Sequence, residues 1–381
     1  MKKKMILSIV LVMLFFSGGL FAKNPLRTRP FQVTFAYPLG TNGFSALNYS
    51  NVMSFNLVYG LNGGVDGFEL GSVFNYVHYD MNGIQIGGVA NITRRNTNGV
   101  FISGATNINL GATNGVGISG GVNITGGHAD GLFISGGTNI HLKTLDGVAI
   151  TGGANIGLGD AEGFTIAPVN LFMKNYFGVQ VGVVNIVGGL DGLQVGVVNL
   201  VGEDNDALPI GIVSIVKDGY YELEFTSNEL SFLNISYKMG VKRFYNTYNV
   251  GYSKHSGSDI FRYGIGIGTN RPVGYKQSVS FELSTDQIIR DWDWSGGVNL
   301  NNRLSMDYRL RLGRKFALVG GVNLNAYVTN EMIDGAFGNF DIPNTIYESD
   351  WVTSKLFIWI GWKLGFSYEI NGSGEIDYRR R

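Results

Sequence analysis

Gly99-Val-Phe-Ile-Ser-Gly-Ala-Thr-Asn-Ile-Asn109 is followed by Gly115-Val-Gly-Ile-Ser-Gly-Gly-Val-Asn-Ile-Thr125 and then by Gly131-Leu-Phe-Ile-Ser-Gly-Gly-Thr-Asn-Ile-His141. The copying extends to both sides. Gly67, Gly83, Gly99, Gly115, Gly131, Gly147 and Gly163 recur every 16 residues, and Asn75, Asn91, Asn107, Asn123, Asn139 and Asn155 follow eight residues after the first six. The array then tightens, with Gly178 and Gly192 at spacings of 15 and 14 and with Asn170, Asn185 and Asn199 seven residues after their glycines. A fixed period of this kind indicates stacked units, each unable to bury its apolar face alone.

Two arrangements satisfy the period. In an antiparallel meander each unit is one long strand, with Asn-Gly and Asp-Gly pairs such as 98–99 and 130–131 as hairpin turns. In a β-solenoid each unit is one coil, with two short strands separated by a bend at doublets such as Gly120-Gly121, Gly136-Gly137 and Gly152-Gly153. The later units lose their residue between the two half-motifs, as in Gly178-Val-Gln-Val-Gly-Val-Val-Asn185. Inside one strand that deletion swaps every following side chain to the other face, whereas a bend absorbs it. The solenoid is therefore favoured. Stacked asparagines suit it as well, because each amide can donate to and accept from its copy one coil away.

The flanks have another texture. In Lys355-Leu-Phe-Ile-Trp-Ile-Gly-Trp-Lys-Leu-Gly-Phe-Ser-Tyr-Glu-Ile370 every even position is apolar, and in 304–312 Met306, Tyr308 and Leu310 oppose Asp307, Arg309 and Arg311. Such strands can set one face to lipid and the other to a wet lumen. Similar alternation at 31–37, 52–59, 220–226, 231–241, 246–253, 259–267, 276–285, 294–301 and 315–328 predicts a barrel of about eight to twelve strands, with 31–37 closing against 354–370. Tyrosine and tryptophan, the residues of interfacial girdles, concentrate in these flanks and not in the repeat.

Lys2, Lys3 and Lys4 precede an apolar run from Met5 to Phe16 and a small-residue stretch ending at Ala22. That is the pattern of a secretory signal peptide, too short to span a bilayer as a helix. The expected division is a signal peptide (1–22), N-terminal strands leading into a barrel (23–62), the repeat (63–217), C-terminal antiparallel barrel strands (218–370) and a polar tail (371–381). The fold expectation is all-β: a β-solenoid of tandem 16-residue repeats joined to an antiparallel outer-membrane-type β-barrel, with one large antiparallel barrel as the alternative.

Gly178-Val-Gln-Val-Gly-Val-Val-Asn-Ile-Val187 and Gly192-Leu-Gln-Val-Gly-Val-Val-Asn-Leu-Val201 resemble the GLQ[IV]GLVN-type units of a bacterial surface-repeat family, the leptospiral-type surface-repeat and outer-membrane proteins. The likeness covers about residues 31 to 216. It implies an exported protein of the outer membrane or cell surface of a Gram-negative bacterium, and it supplies no catalytic residues. One departure is that outer-membrane barrels usually end on an aromatic, whereas this chain continues to Arg381.

The chemistry-bearing patterns are sparse. The formal net charge is zero, which removes the basic field that nucleic-acid binding needs. With no cysteine there are no thiol nucleophiles or thiolate metal sites. No nucleotide loop or nucleophile elbow is present, and the repeat glycines are better explained by turns than by phosphate binding. His78, His128 and His141 fall at different repeat offsets and His255 lies outside the repeat, so they cannot stack into one metal site. Asp66, Asp130, Asp146, Glu162 and Asp191 resemble the acids of calcium β-rolls, but Asn82, Asn98 and Asn114 take the same place, which favours a turn role. Glu222 with Glu224, and Asp291 with Asp293, have the spacing of carboxylate pairs on one strand face, for which lumen or loop positions are the simpler reading. Lys238, Lys242, Arg309, Arg311 and Lys363 would either tune a pore or pair inside a small plugged barrel. The expectation is a non-enzymatic protein without cofactor, catalytic or metal residues. Outer-membrane lipid is the expected partner, with a surface ligand or another envelope protein beside it, and a channel is the alternative.

Overall fold

The computed structural model describes residues 26–371 apart from 256, 295, 296, 334, 339 and 341–343. The expected signal peptide and all but the first residue of the polar tail lie outside the described residues. The repeat is a β-solenoid. Thr97–Ser103 and Thr106–Asn109 form the two strands of one coil, with the bend at Gly104-Ala105 between them. Each strand pairs in parallel with its own copy in the neighbouring coils, Ile102 opposite Ile118 and Asn107 opposite Asn123. This parallel register excludes the single antiparallel barrel. Where a residue is missing, Ile150 still pairs with Ile166 and Ala154 with Val169, so the bend absorbs the loss and both strands keep their facing.

The repeat glycines differ from the turn role expected of them. Gly99 lies inside a strand at φ 124°, and a Cβ there would stand 2.0 Å from the carbonyl oxygen of Gly83 in the coil before. The chain kinks at this point and adjacent coils come too close for any side chain. Only glycine satisfies both conditions.

Alternation then decides what each coil buries. Thr97, Phe101, Ser103, Asn107 and Asn109 point inward, whereas Val100, Ile102 and Ile108 point outward and are half-covered by their copies above and below. Rings and small residues complement one another inside. A Cβ on Gly117 would lie 2.4 Å from the Phe101 ring and 3.2 Å from that of Phe133, and the two rings sit 6.4 Å apart over the space it leaves.

The N-terminal strands correct the sequence reading. Arg27–Ala36 does not close a barrel; it pairs in parallel with Tyr49–Asn62, Phe31 opposite Met53 and Val33 opposite Phe55. Tyr49–Asn62 in turn pairs with the first repeat strands, so 31–37 and 52–59 begin the solenoid. Alternation reports which side of a strand faces inward, not which strand lies beside it, and so it did not separate the two domains.

The barrel begins at Tyr220–Asn228 and runs through Leu233–Val241, Phe244–His255, Ser258–Gly274, Gln277–Arg290, Asn299–Arg311 and Phe316–Thr329 to Lys355–Glu369. All neighbours are antiparallel, and the last strand pairs back onto the first, Phe366 opposite Phe225. The result is a closed eight-stranded barrel, at the lower end of the expected range because 31–37 and 52–59 belong to the solenoid and Asn299–Arg311 is a single strand. A ring of eight strands leaves an interior just wide enough for side chains to fill.

The two domains touch directly. Asp206 pairs with Arg243, and the Ile212 carbonyl accepts from Asn246 Nδ2 at 3.0 Å and from the Tyr248 hydroxyl. The Tyr221 hydroxyl bonds both backbone groups of Val216, accepting from the N–H at 2.9 Å and donating to the carbonyl at 2.7 Å.

Candidate functional site

The solenoid brings all the repeat asparagines into one buried column. Asn75 Nδ2 donates to Asn91 Oδ1 at 2.9 Å, and the relay continues through Asn107, Asn123, Asn139 and Asn155 at 3.0 Å per step. It then passes through Asn170 and Asn185 to Asn199. Each amide also donates to the carbonyl at the end of the next coil's first strand, as Asn91 does to Ile102 at 2.7 Å and Asn123 to Ile134 at 2.9 Å. That second bond holds a carbonyl at the bend, where the ladder of the sheet is interrupted. Every amide dipole points the same way along the stack.

Sequence reasoning missed how the column starts and ends. Asn56 donates to Asn75 at 3.0 Å, and Asn199 reaches the Ser214 hydroxyl at 3.5 Å. Beside the start lies Glu69, fully buried, whose carboxylate accepts from Asn56 at 2.9 Å, Ser54 at 3.3 Å, Gln85 at 2.7 Å and Asn62. Burial pushes its carboxyl up to about 7, against the pull of the Gln85, Asn56, Ser54 and Asn62 hydrogen bonds. A signal was present: Glu69 occupies the inward position two residues after the repeat glycine, where Gln85, Gln180 and Gln194 also sit.

The other flagged residues of the solenoid separate. His141 points into the interior, edge-on to Phe133 at 4.9 Å, and burial lowers its pKa to about 4. His128 is exposed in the turn between coils, bonded to Thr144. The side chain of His255 lies outside those described. Among the described residues no group of three or more His, Cys, Asp or Glu could hold a metal ion. The acids before the glycines lie along the solvent edge, where Asp66 Oδ1 accepts from Asn82 at 2.7 Å and Asn98 donates to Asn82 at 2.9 Å.

In the barrel the charged face points inward. Glu224 accepts from Lys238 at 2.7 Å, Arg309 at 2.6 Å and Lys363 at 3.0 Å. Arg309 also pairs with Glu222, Lys238 with Glu282, and Lys363 with Asp307 at 2.5 Å. Glu222 and Glu224 are thus bound by Lys238 and Lys363 from the two neighbouring strands and by Arg309 from across the lumen, in an ionic cluster that side chains fill. Further along the lumen, Asp286 faces Arg303 at 3.4 Å and Arg262 at 3.6 Å. Asp291 instead ties down a loop, its carboxylate accepting from the Asp259 N–H at 2.8 Å.

No family model, curated protein or solved structure matches this chain. Its chemistry must therefore be read from the geometry. Where barrel and solenoid meet, a cavity of about 380 Å³ opens among Tyr220, Lys242, Lys276, Arg309, Arg311 and Arg314. Lys242 and Arg311 share one carboxylate, that of Glu369, at 2.9 and 2.7 Å. Lys242 and Arg311 therefore lie at the mouth, whereas Lys238, Arg309 and Lys363 pair inside.

Proposed function

We propose that the chain is a non-enzymatic outer-membrane protein of a Gram-negative envelope, in which the barrel is the membrane anchor and the solenoid a rigid structural or binding surface. The observation that carries this reading is the sorting of the barrel's two faces. Leu283, Leu304, Ile360 and Leu364 are more than half exposed on the outside, whereas Asp286, Asp307 and Lys363 are buried within. Water on both sides would favour neither arrangement; lipid outside favours both. The strands are long enough, at 13 to 17 residues for those from Ser258–Gly274 to Lys355–Glu369, against the roughly 9–11 that a tilted strand needs to cross.

Aromatic residues support the same reading. Tyr221, Tyr237 and Tyr248 lie near the solenoid end, and Trp292 and Trp294 pack with Phe261 and Tyr263 near the other. Connections at the solenoid end are short (242–243, 275–276, 312–315), while 291–298 and 330–354 lie at the far end. Outer-membrane barrels keep their short turns in the periplasm, which supports a periplasmic solenoid. The signal-peptide pattern at 1–22 and the surface-repeat likeness agree with export. The channel reading has less support, because the ionic cluster around Glu224 fills the lumen.

The test is expression in a Gram-negative host. The mature chain should fractionate with outer membranes and migrate faster on gels when unboiled. Protease added to intact cells should spare the solenoid and cut it after permeabilisation. Recovery in the cytosol would overturn the reading.

A further inference from the structure

From Gly83 to Val216 every Asp, Glu, Lys and Arg falls between the third residue after a repeat asparagine and the residue before the next repeat glycine, or before Ala207 in its place. All of them therefore lie on one edge of the stack. The remaining arc of each coil presents only uncharged residues outward, and at its most regular positions only aliphatic ones. Ile86, Ile102, Ile118, Ile134 and Ile150 stack in register on the first strands, and Ile92, Ile108, Ile124, Ile140 and Ile156 on the second. These two faces meet at the bend of small residues, as a wedge opposite the charged edge. A soluble solenoid has no reason to turn its branched aliphatics outward while asparagine, serine and threonine fill its interior.

The wedge does not end at the last coil. Ile212, at the bend, is bound through its carbonyl to Tyr248 and Asn246, and Tyr248 stacks with Tyr237 on the barrel's outer wall. Val197 and Val183, exposed at the same bend, continue the line away from that contact. The apolar surface of the solenoid is thus continuous with the barrel wall at the level of its interfacial tyrosines. Resting on the membrane reading of the barrel, we infer that the wedge lies on the phospholipid surface of the same membrane, in the leaflet at the short-turn end, with the charged edge turned to water. This is the placement of an interfacial amphipathic element, built here from stacked coils instead of a helix.

The native chain has no cysteine, so single-cysteine variants of the full-length protein report one position each. Ile140→Cys and Val197→Cys probe the wedge, Lys143→Cys the charged edge and Leu283→Cys the barrel wall. Each is labelled with an environment-sensitive fluorophore and reconstituted in phosphatidylethanolamine and phosphatidylglycerol vesicles, with and without chain-brominated phospholipid. The wedge labels should be quenched by brominated lipid several-fold more than the Lys143 label, and aqueous iodide should show the reverse order. Quenching at Leu283 with wedge labels as open to iodide as Lys143 overturns the inference and leaves the barrel reading intact. Absence of lipid quenching at Leu283 removes both. Wedge labels shielded from lipid and iodide alike, with a cross-linked dimer, would give the surface to a second copy and overturn the inference.

Discussion

Asn123 donates to Asn139 across 3.0 Å while accepting from Asn107 at the same distance, so one amide joins three coils. Its nitrogen also serves the Ile134 carbonyl at 2.9 Å. Asn123→Leu strands a donor below and an acceptor above, both buried, and takes a partner from a part-buried backbone carbonyl. Leaving such groups unsatisfied costs roughly 1–3 kcal/mol. Chemical denaturation followed on the solenoid should show that loss, and Asn371→Leu, at an exposed position, should show almost none. Equal and negligible effects would mean the column contributes nothing to stability.

Glu69 makes the first coils sensitive to alkali. Its carboxyl titrates at about 7 in the folded chain against 4.5 when unfolded, so the folded state holds the extra proton between those values. Stability is complete below about pH 4.5 and falls as pH rises through 7, by roughly 3 kcal/mol if the shift is fully expressed. Glu69→Gln should flatten that slope. Measured between pH 5 and 8, an unchanged slope in the variant would show that another group titrates.

His141 works in the opposite direction. Burial depresses its pKa from 6.5 to about 4, and neither ring nitrogen has a hydrogen-bond partner in the structure. The unfolded chain therefore takes up the proton first, and stability is lost as pH falls from about 6.5 through 4. His141→Leu keeps an apolar contact with Phe133 and removes the charge. It should resist acid better than the parent, and parallel acid profiles for the two would mean the imidazole is hydrated.

These residues show what the sequence made legible. The period announced stacked units, and the missing residue before Asn170 and Asn185 separated solenoid from meander because strand parity tolerates no slip. The asparagine column followed from the same period. The role of Gly99 did not follow, since a kink inside a strand and a turn between strands ask for the same residue. Nor did the partner of 31–37, because a strand with one apolar face looks alike in a coil and in a barrel wall. The lumen cluster was half visible: Lys238, Arg309 and Lys363 stood out, while Glu282 and Asp286 share a parity that could have revealed them.

Deleting one repeat separates stacking from side-chain packing. Removal of 131–146 joins Asp130 to Gly147 and brings Gly115 beside Gly147, Asn123 beside Asn155 and Ala129 beside Ala161, all like with like. The interior loses Phe133, and the Phe101 ring keeps its space over Gly117. Removal of 115–130 preserves backbone register equally well, yet it takes away Gly117 and sets Phe101 directly against Phe133 in adjacent coils, about 4.8 Å apart. Each ring now uses the space over that glycine, so overpacking should cost on the order of 1–3 kcal/mol. Both deletions should leave the barrel's heat-modifiable migration intact, because the solenoid enters and leaves each coil in the same direction. The 131–146 deletion should unfold at higher denaturant than the 115–130 deletion. The reverse order would show that the loss of Phe133 outweighs the crowding of the two rings, and loss of barrel assembly in both would show that the domains do not fold independently.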